Sequence, residues 1–323
     1  MKFFVYLFSV LLVTALLFGG LWYYYGSDFI HSIAINSPIP DFLMINKNNQ
    51  VTLLDFWTPV VAKTQGSSGN LPDLTAQSVL MYDLTGNKVL YEKDPNARRP
   101  MASLTKIMTA VIALESPKPD DRYQVTKDDI VGSDSMGVSA GETYNLQDLL
   151  YGLVLHSGND AAEVLAHNYP GGRSAFIQAM NNKAKALGML NTHYSNPSGL
   201  QGDGIQYTTT YDLLVLTKYA LEHYPLFAQV VSMASYDIPQ TSDHVEIQLD
   251  NETNLLTTYP GVKGVKDGYT PEAGLCLVTY LEYGGHQIIG IILNSQDRRG
   301  EMKELLDYSL EMDGVTPPPY TGG

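Results

Sequence analysis

Arg99-Pro-Met-Ala-Ser-Leu-Thr-Lys-Ile-Met-Thr-Ala110 is the stretch that decides how this chain is interpreted. Ser103 and Lys106 stand three residues apart at the start of an apolar, helix-length run, so they share one face of the predicted helix. A lysine drawn into an apolar interior loses its proton more readily, and the neutral amine can then take the proton of a nearby serine hydroxyl. The free N–H groups of a helix N-terminus also favour negative charge developing beside the serine. The stretch therefore predicts a serine nucleophile with a lysine base.

Two further motifs follow in chain order. Ser157-Gly-Asn159 lies between two helical patterns, which predicts a loop that lines a cleft. Lys266-Asp-Gly268 lies in a glycine-rich run that leads into a strand, where a strand edge would offer the lysine charge. There the Tyr269 N–H would complete an oxyanion hole with the Ser103 N–H. Each short motif alone is more typical of an ordinary turn, but the order Ser-x-x-Lys, Ser-x-Asn, Lys-x-Gly is the penicillin-binding signature.

Two other stretches compete for the middle position of this signature. Ser68-Gly-Asn70 has the same letters, but it precedes the serine nucleophile and lies in a predicted linker. Tyr194-Ser-Asn196 is the stronger competitor, since some proteins with this signature have Tyr-x-Asn at the middle position. Ser157 is preferred because it follows directly on an apolar helix.

The pattern along the chain predicts an α+β fold. Residues 78–83 and 88–92 are short apolar runs joined by Thr85-Gly-Asn87, which predicts a β-hairpin. Residues 274–281 and 286–293 predict two late strands around Tyr283-Gly-Gly285. The two ends of the domain are expected to share one sheet, with a helical lobe between them. The predicted helices cover residues 103–115, 146–156, 160–168, 174–187, 210–222 and 298–311.

The N-terminus predicts export. Residues 3–25 carry no charge and would span roughly 34 Å as a helix, which is enough to cross a bilayer core of about 30 Å. Trp22 and the three tyrosines that follow it suit a membrane interface. We expect an uncleaved anchor over residues 1–26, and a cleaved signal segment is the alternative. The expected location is the cell membrane with the catalytic domain outside the cytoplasm, or secretion if the segment is cleaved.

The remaining boundaries follow from composition. Residues 27–74 are expected to form a linker, residues 75–315 the catalytic domain and residues 316–323 a disordered tail. The formal charge of −14 and the lack of a basic run argue against nucleic acid as a partner. Cys276 is the only cysteine, which excludes a disulfide framework and a cysteine-based metal site.

On these motifs the chain resembles the D-alanyl-D-alanine carboxypeptidases, the low-molecular-mass penicillin-binding proteins. The resemblance runs from about residue 77 to residue 311 and includes Asn196-Pro-Ser-Gly-Leu200, interpreted as a structured loop rather than a source of catalytic groups. It implies a β-lactamase/transpeptidase-like fold, with an antiparallel sheet flanked by helices. It also implies a peptidoglycan stem peptide as substrate, β-lactams as covalent inhibitors, and no metal or organic cofactor.

The resemblance further implies a role for each site residue. Ser103 would attack the carbonyl of the penultimate D-alanine, Lys106 would take its proton, and Ser157 would relay that proton to the departing D-alanine. Asn159 would hold the substrate amide, and Lys266 would tune the site electrostatically. Water would then release the acyl-enzyme. The expected binding residues of the third motif are Lys266, Asp267, Gly268, Tyr269 and Thr270.

One position departs from the family pattern. Relatives usually carry threonine or serine where this chain has Asp267, and that hydroxyl contacts the terminal carboxylate of the substrate. Two carboxylates about 4 Å apart repel by roughly 4 kcal/mol at an effective dielectric constant near 20. Asp267 is therefore expected to be protonated, paired with a cation, or turned away while Thr270 supplies a hydroxyl. Alternatively the substrate bears an amine in place of the terminal carboxylate, which favours a DD-endopeptidase acting on cross-links.

Two other functions compete with the carboxypeptidase. A class A β-lactamase would need a Glu-x-x-Leu-Asn stretch to activate water, and Glu163 with Asn168 has the wrong spacing. A peptidoglycan- or β-lactam-binding protein with little turnover is the non-enzymatic alternative. Such a binding protein would have less need than an enzyme of Ser103, Lys106, Ser157 and Lys266 together.

Overall fold

The computed structural model describes residues 57–59, 72–253 and 255–320. Its strands in chain order are β1 (Ser78–Asp83), β2 (Lys88–Lys93), β3 (Tyr123–Gln124), β4 (Thr143–Tyr144), β5 (Ser235–Ile238), β6 (Ile247–Asp250), β7 (Val262–Thr270), β8 (Gly274–Tyr283) and β9 (His286–Ser295). Its α-helices are α1 (Thr105–Glu115), α2 (Leu146–Val154), α3 (Asn159–His167), α4 (Gly172–Ala186), α5 (Thr210–His223), α6 (Pro225–Val231), α7 (Leu255–Thr258) and α8 (Arg298–Met312).

A five-stranded antiparallel sheet lies at the centre, in the order β2-β1-β9-β8-β7. The first and last parts of the described chain therefore share one sheet, and the helices from α1 to α7 come between them in sequence. This confirms the predicted α+β architecture. The strand β7, which carries the Lys-Asp-Gly motif, is an edge strand and faces the start of α1.

The central strand β9 shows why the sheet is covered on both faces. Its apolar run is continuous, as expected for a strand buried on two sides. Ile289 and Ile291 belong to the core under the helical lobe. Ile288 and Ile292 belong to a second core. The residues Met302, Leu305 and Leu306 of α8 cover that second core.

Most predicted elements agree with the structure to within two residues, and the differences have local causes. The predicted helix 103–115 begins as a 3-10 turn over Ala102–Leu104 before α1. The predicted helix 146–156 ends at Val154, because the chain turns sharply at Ser157, where φ is +55°. The hairpin β5–β6 and the helix α6 were not predicted, since their apolar runs are short.

Several predicted segments lie wholly or partly outside the described residues. The proposed anchor (1–26) is outside them, and among the described residues no helix is long and apolar enough to span a membrane. Only residues 57–59 and 72–74 of the predicted linker are described, and there Trp57 packs edge-on against Tyr82 with ring centroids 5.3 Å apart. In the predicted disordered tail, Pro318 is buried and Tyr320 packs on Lys303 of α8.

Candidate active site

The nucleophile candidate lies on a tight turn at the start of α1. Ser103 is in the middle of the 3-10 turn, and Ala102 before it takes a left-handed conformation at φ +48°, which is unfavourable for a residue with a Cβ. Lys106 is wholly buried one turn further on. Its Nζ lies 2.9 Å from Ser103 Oγ. The i, i+3 geometry expected from the sequence is therefore present.

Lys106 has three oxygen partners in the interior. Its Nζ donates to Asn159 Oδ1 at 2.7 Å and to the Ser198 carbonyl at 2.9 Å, besides its contact with Ser103 Oγ. Burial, and secondly the charge of Lys266, lower the pKa of Lys106 from 10.5 to about 7. A neutral amine still donates to two acceptors, and its lone pair is then free to accept the Ser103 proton. The geometry is therefore that of a poised general base.

Asn159 links the second motif to the first. It begins α3, and its Nδ2 donates to the Ser133 carbonyl at 2.5 Å while its own backbone N–H donates to the Asp134 carbonyl at 2.7 Å. Both contacts tie it to the loop at residues 133–138. Its amide orientation is thereby fixed with Oδ1 toward Lys106.

Asp160 holds that loop in place, and the sequence analysis did not identify it. Its carboxylate accepts the backbone N–H groups of Met136 at 2.9 Å and Gly137 at 3.1 Å, as well as the Ser135 hydroxyl. Asp160 is fully buried. A carboxylate that satisfies this many donors fixes the loop against which Asn159 rests.

Ser157 lies two residues before Asn159 in a left-handed backbone conformation. It is only 4% exposed. Gly158 follows without a side chain, since a Cβ there would lie 3.1 Å from the Gly152 carbonyl oxygen. The strained turn fixes the direction of Ser157, as is common for functional side chains. The competing Tyr194 is wholly buried, with its hydroxyl unpartnered among the described residues.

The third motif forms an ion-pair network on β7. Asp267 Oδ1 lies 2.8 Å from Lys266 Nζ, and Asp267 Oδ2 lies 2.5 Å from Arg298 Nη2. Burial acts to raise the pKa of Asp267, but the charges of Lys266 and Arg298 outweigh it and hold that pKa below its usual range. Of the three explanations offered for Asp267, the structure therefore shows pairing with cations. Protonation does not apply, because both carboxylate oxygens accept charged partners.

Gly268 brings β7 directly against the nucleophile turn. A Cβ built on Gly268 would lie 2.8 Å from the Ser103 backbone nitrogen, which is closer than real Cβ contacts come. Arg298 Nη1 donates to the Gly268 carbonyl at 2.7 Å. Tyr269 is 60% exposed beside this contact. The Thr270 hydroxyl accepts the Ala273 N–H at 3.1 Å. The pairing of the Tyr269 and Ser103 N–H groups as an oxyanion hole stays a prediction.

The loop Asn196-Pro-Ser-Gly-Leu200 contributes to the site, although the sequence analysis assigned it no such part. The Ser198 carbonyl accepts from Lys106, and a Cβ on Gly199 would lie 2.0 Å from the Ala102 carbonyl oxygen. Gly199 has φ +89°, so glycine is favoured there on both counts. The recurring Asn-Pro-x-Gly-Leu pattern was the available signal, since a loop that packs on a catalytic turn needs such a glycine.

Comparison with known proteins decides the family. Residues 64–297 match the family model of Peptidase S11, D-alanyl-D-alanine carboxypeptidase. The chain belongs to this family. The fold, family and enzyme class predicted from the sequence are thereby confirmed: it is a serine-type D-Ala-D-Ala carboxypeptidase.

Individual relatives agree with this assignment. The D-alanyl-D-alanine carboxypeptidase DacF of Bacillus subtilis is 30% identical over 276 residues, which are 83% of this chain and 70% of the relative. The D-alanyl-D-alanine endopeptidase of Escherichia coli is 36% identical over 239 residues, covering 69% and 73% of the two chains.

Solved structures are similar as well. The DD-transpeptidase of Streptomyces K15 superimposes with a TM-score of 0.70 at 30% identity, covering 75% of this chain and all of that one. Penicillin-binding protein D2 of Listeria monocytogenes, solved with ampicillin bound, gives a TM-score of 0.66 at 28% identity with the same coverage.

Proposed function

We propose that this serine carboxypeptidase trims peptidoglycan stem peptides through an acyl-enzyme on Ser103. In the first step Lys106, as the neutral amine, takes the proton of the Ser103 hydroxyl. The hydroxyl oxygen attacks the carbonyl carbon of the penultimate D-alanine. The charge that develops on the carbonyl oxygen is stabilised by N–H groups of the 3-10 turn and by the Tyr269 N–H.

The second half of the reaction releases the products. Ser157 passes the proton to the amine of the departing D-alanine, the C–N bond breaks, and the acyl group stays on Ser103. Asn159 positions the substrate amide, and Lys266 keeps the cleft positive. Water then attacks the ester with Lys106 again as the base, which frees Ser103 and the shortened peptide.

One observation carries this proposal: Lys106, wholly buried, lies 2.9 Å from Ser103 Oγ while two further acceptors hold its amine in place. The test is release of D-alanine from a pentapeptide that ends in D-Ala-D-Ala, measured for the wild type and for Ser103→Ala. Release by the wild type alone supports the proposal. No release from a folded wild type would instead favour the binding protein with little turnover.

β-Lactams are the proposed covalent inhibitors, because they present a strained amide to the same serine. The related Listeria protein was solved with ampicillin bound. A fluorescent penicillin should label the wild type and not Ser103→Ala. Labelling of both would show that another residue reacts.

A DD-endopeptidase activity is the second candidate, favoured by the Escherichia coli relative named for it and by the unusual Asp267. A cross-linked dimer and a D-Ala-D-Ala pentapeptide, supplied together at equal concentration, would distinguish the two. Because Lys266 and Arg298 neutralise Asp267, we expect the pentapeptide with its free carboxylate to be cleaved faster. Faster cleavage of the dimer would favour the endopeptidase.

We also propose attachment to the cell membrane through residues 1–26, with the catalytic domain outside the cytoplasm. The support is the uncharged apolar run at residues 3–25. Fractionation of cells expressing the full chain should place it in the membrane pellet. Recovery from the medium with a shortened N-terminus would indicate a cleaved signal segment.

A further inference from the structure

Four charged or titratable residues meet at the end of the sheet opposite the candidate active site. Asp83 ends β1, Lys88 begins β2, His286 begins β9 and Asp313 directly follows α8. The third motif lies at the other end, because the start of β1 pairs with the end of β9, next to the start of β8. Nothing in the proposed mechanism uses these four residues.

Three of them place possible ligand atoms close to one another. The Asp83 carboxylate, the His286 ring nitrogen and the Asp313 carboxylate each offer an atom, and these atoms all lie within 4.8 Å of one another. His286 Nδ1 lies 3.2 Å from Asp83 Oδ2 and 3.3 Å from Asp313 Oδ2. Two ligands of a tetrahedral zinc ion at about 2.1 Å are separated by about 3.4 Å. The two measured separations are close to that value.

The carboxylate of Asp313 has an unused oxygen. Its side chain is 2% exposed, and within the described part of the chain Oδ2 has no hydrogen-bond partner. His286 Nδ1 lies near it but is hydrogen-bonded to Asp83 Oδ2 instead. A buried carboxylate oxygen without a hydrogen bond is costly, and a bound cation would remove that cost.

The charge balance also favours a cation. Asp83 is fully buried and the side chain of Asp313 is nearly so, and Lys88 pairs with Asp313 Oδ1. Asp313 further lies at the C-terminal end of α8, where the helix dipole is negative. Two carboxylates and a helix C-terminus thus face one lysine and one imidazole.

The surrounding backbone is shaped around this point. The Thr85 and Gly86 N–H groups each donate to the Asp83 carboxylate at 2.9 Å, which fixes both of its oxygens. A Cβ on Gly284 would lie 2.5 Å from the Val315 side chain, so the β8–β9 turn packs directly on the segment after α8. These contacts orient the Asp83 carboxylate and place the end of α8 against the β8–β9 turn, as supporting contacts do at metal sites.

We propose that Asp83, His286 and Asp313 form a site for a divalent cation of the zinc type, with the fourth position open to water. One imidazole and two carboxylates suit zinc, and manganese is the next candidate. The ion would join the β1–β2 hairpin, the β8–β9 turn and the end of α8. Lys88 competes with it for Asp313.

The test uses the full chain in detergent, stripped with a chelator, dialysed against Zn²⁺ and assayed for bound metal by elemental mass spectrometry. We expect one zinc per wild-type chain, at least a tenfold loss of affinity in His286→Gln and Asp313→Asn, and a raised melting temperature of the loaded wild type. His167→Gln is the matched control, since His167 also contacts a buried aspartate, Asp129, and should keep the metal.

A further variant keeps the test decisive if the two site variants misfold. Lys88→Met removes the competing cation, so it should bind zinc several-fold more tightly than the wild type. Labelling of Ser103 by a fluorescent penicillin should be unchanged in every variant, which separates this site from the proposed function. No zinc bound by the wild type, or equal binding by His286→Gln, would overturn the proposal, and tighter binding of Mn²⁺ would overturn the choice of zinc.

Discussion

Asp267 Oδ2 lies 2.5 Å from Nη2 of Arg298, and this contact changes how the unusual third motif is understood. The other oxygen of the same carboxylate is 2.8 Å from Lys266 Nζ. An unpaired aspartate here would repel a substrate carboxylate. A doubly paired one leaves the local net charge positive, because two cations face a single anion.

The first prediction concerns this pairing. Asp267→Asn leaves the buried Lys266 without its paired anion, so we expect the free energy of unfolding to fall by about 3 kcal/mol. This is at the lower end of the range for breaking a buried ion pair, because Arg298 is partly exposed. We also expect KM for a carboxylate-terminated peptide to fall, since both cations become available to it. Asp243→Asn, which breaks an exposed pair with Arg122, should lower the free energy of unfolding far less. An unchanged KM would show that neither cation meets the substrate carboxylate.

The second prediction is a pH dependence of stability. Folding lowers the pKa of Lys106 from 10.5 to about 7, so between these values the unfolded chain binds more protons than the folded chain. The penalty of burying Lys106 is therefore full below pH 7 and declines as the pH rises. Relative to that of Lys106→Met, the free energy of unfolding of the wild type should rise by about 1.4 kcal/mol per pH unit from pH 7 to pH 9. Urea unfolding of both proteins measures this, and parallel pH profiles would contradict the lowered pKa.

The third prediction tests the close approach of β7 to the nucleophile turn. Gly268→Ala places a Cβ only 2.8 Å from the Ser103 backbone nitrogen, so one backbone segment must move. We expect acylation by penicillin to slow by about a hundredfold or more, as for loss of an oxyanion donor. Gly300→Ala is the control, because the nearest atoms to its Cβ belong to the Asp297 side chain and not to the nucleophile turn. Equal acylation rates in the two variants would argue against this contact.

The fourth prediction concerns Asp160 as a positioning residue. Asp160→Asn replaces one accepting oxygen with an NH₂ group, which leaves donors of the 133–138 loop unpaired and releases the support of Asn159. We expect acylation to slow about tenfold to a hundredfold. Asp148→Asn, at a buried aspartate in the first turn of α2, should lower stability while the folded protein acylates normally. Equal acylation rates in both variants would leave Asp160 with a structural role only.

The sequence was informative where chemistry and periodicity coincide. The pairing of Ser103 with Lys106 follows from helix geometry alone, and β9 follows from a continuous apolar run. The partners of Lys106 and Asp267 depend on tertiary packing. Ser198 is 92 residues from Lys106 along the chain, and Arg298 is 31 residues from Asp267. No local sequence pattern encodes contacts over such separations. Asp160 was missed because a buried aspartate beside Asn159 looks like an ordinary helix N-terminal residue.

The measurement that tests the central claim most directly is the rate at which benzylpenicillin acylates Ser103, followed by intact mass at pH 7.5 for the wild type and Lys106→Arg. An arginine keeps the positive charge but cannot lose its proton at this pH. If Lys106 is the base, the variant should acylate about a hundredfold to ten-thousandfold more slowly, with the wild-type adduct on Ser103. Acylation of Lys106→Arg within threefold of the wild-type rate would contradict the assignment.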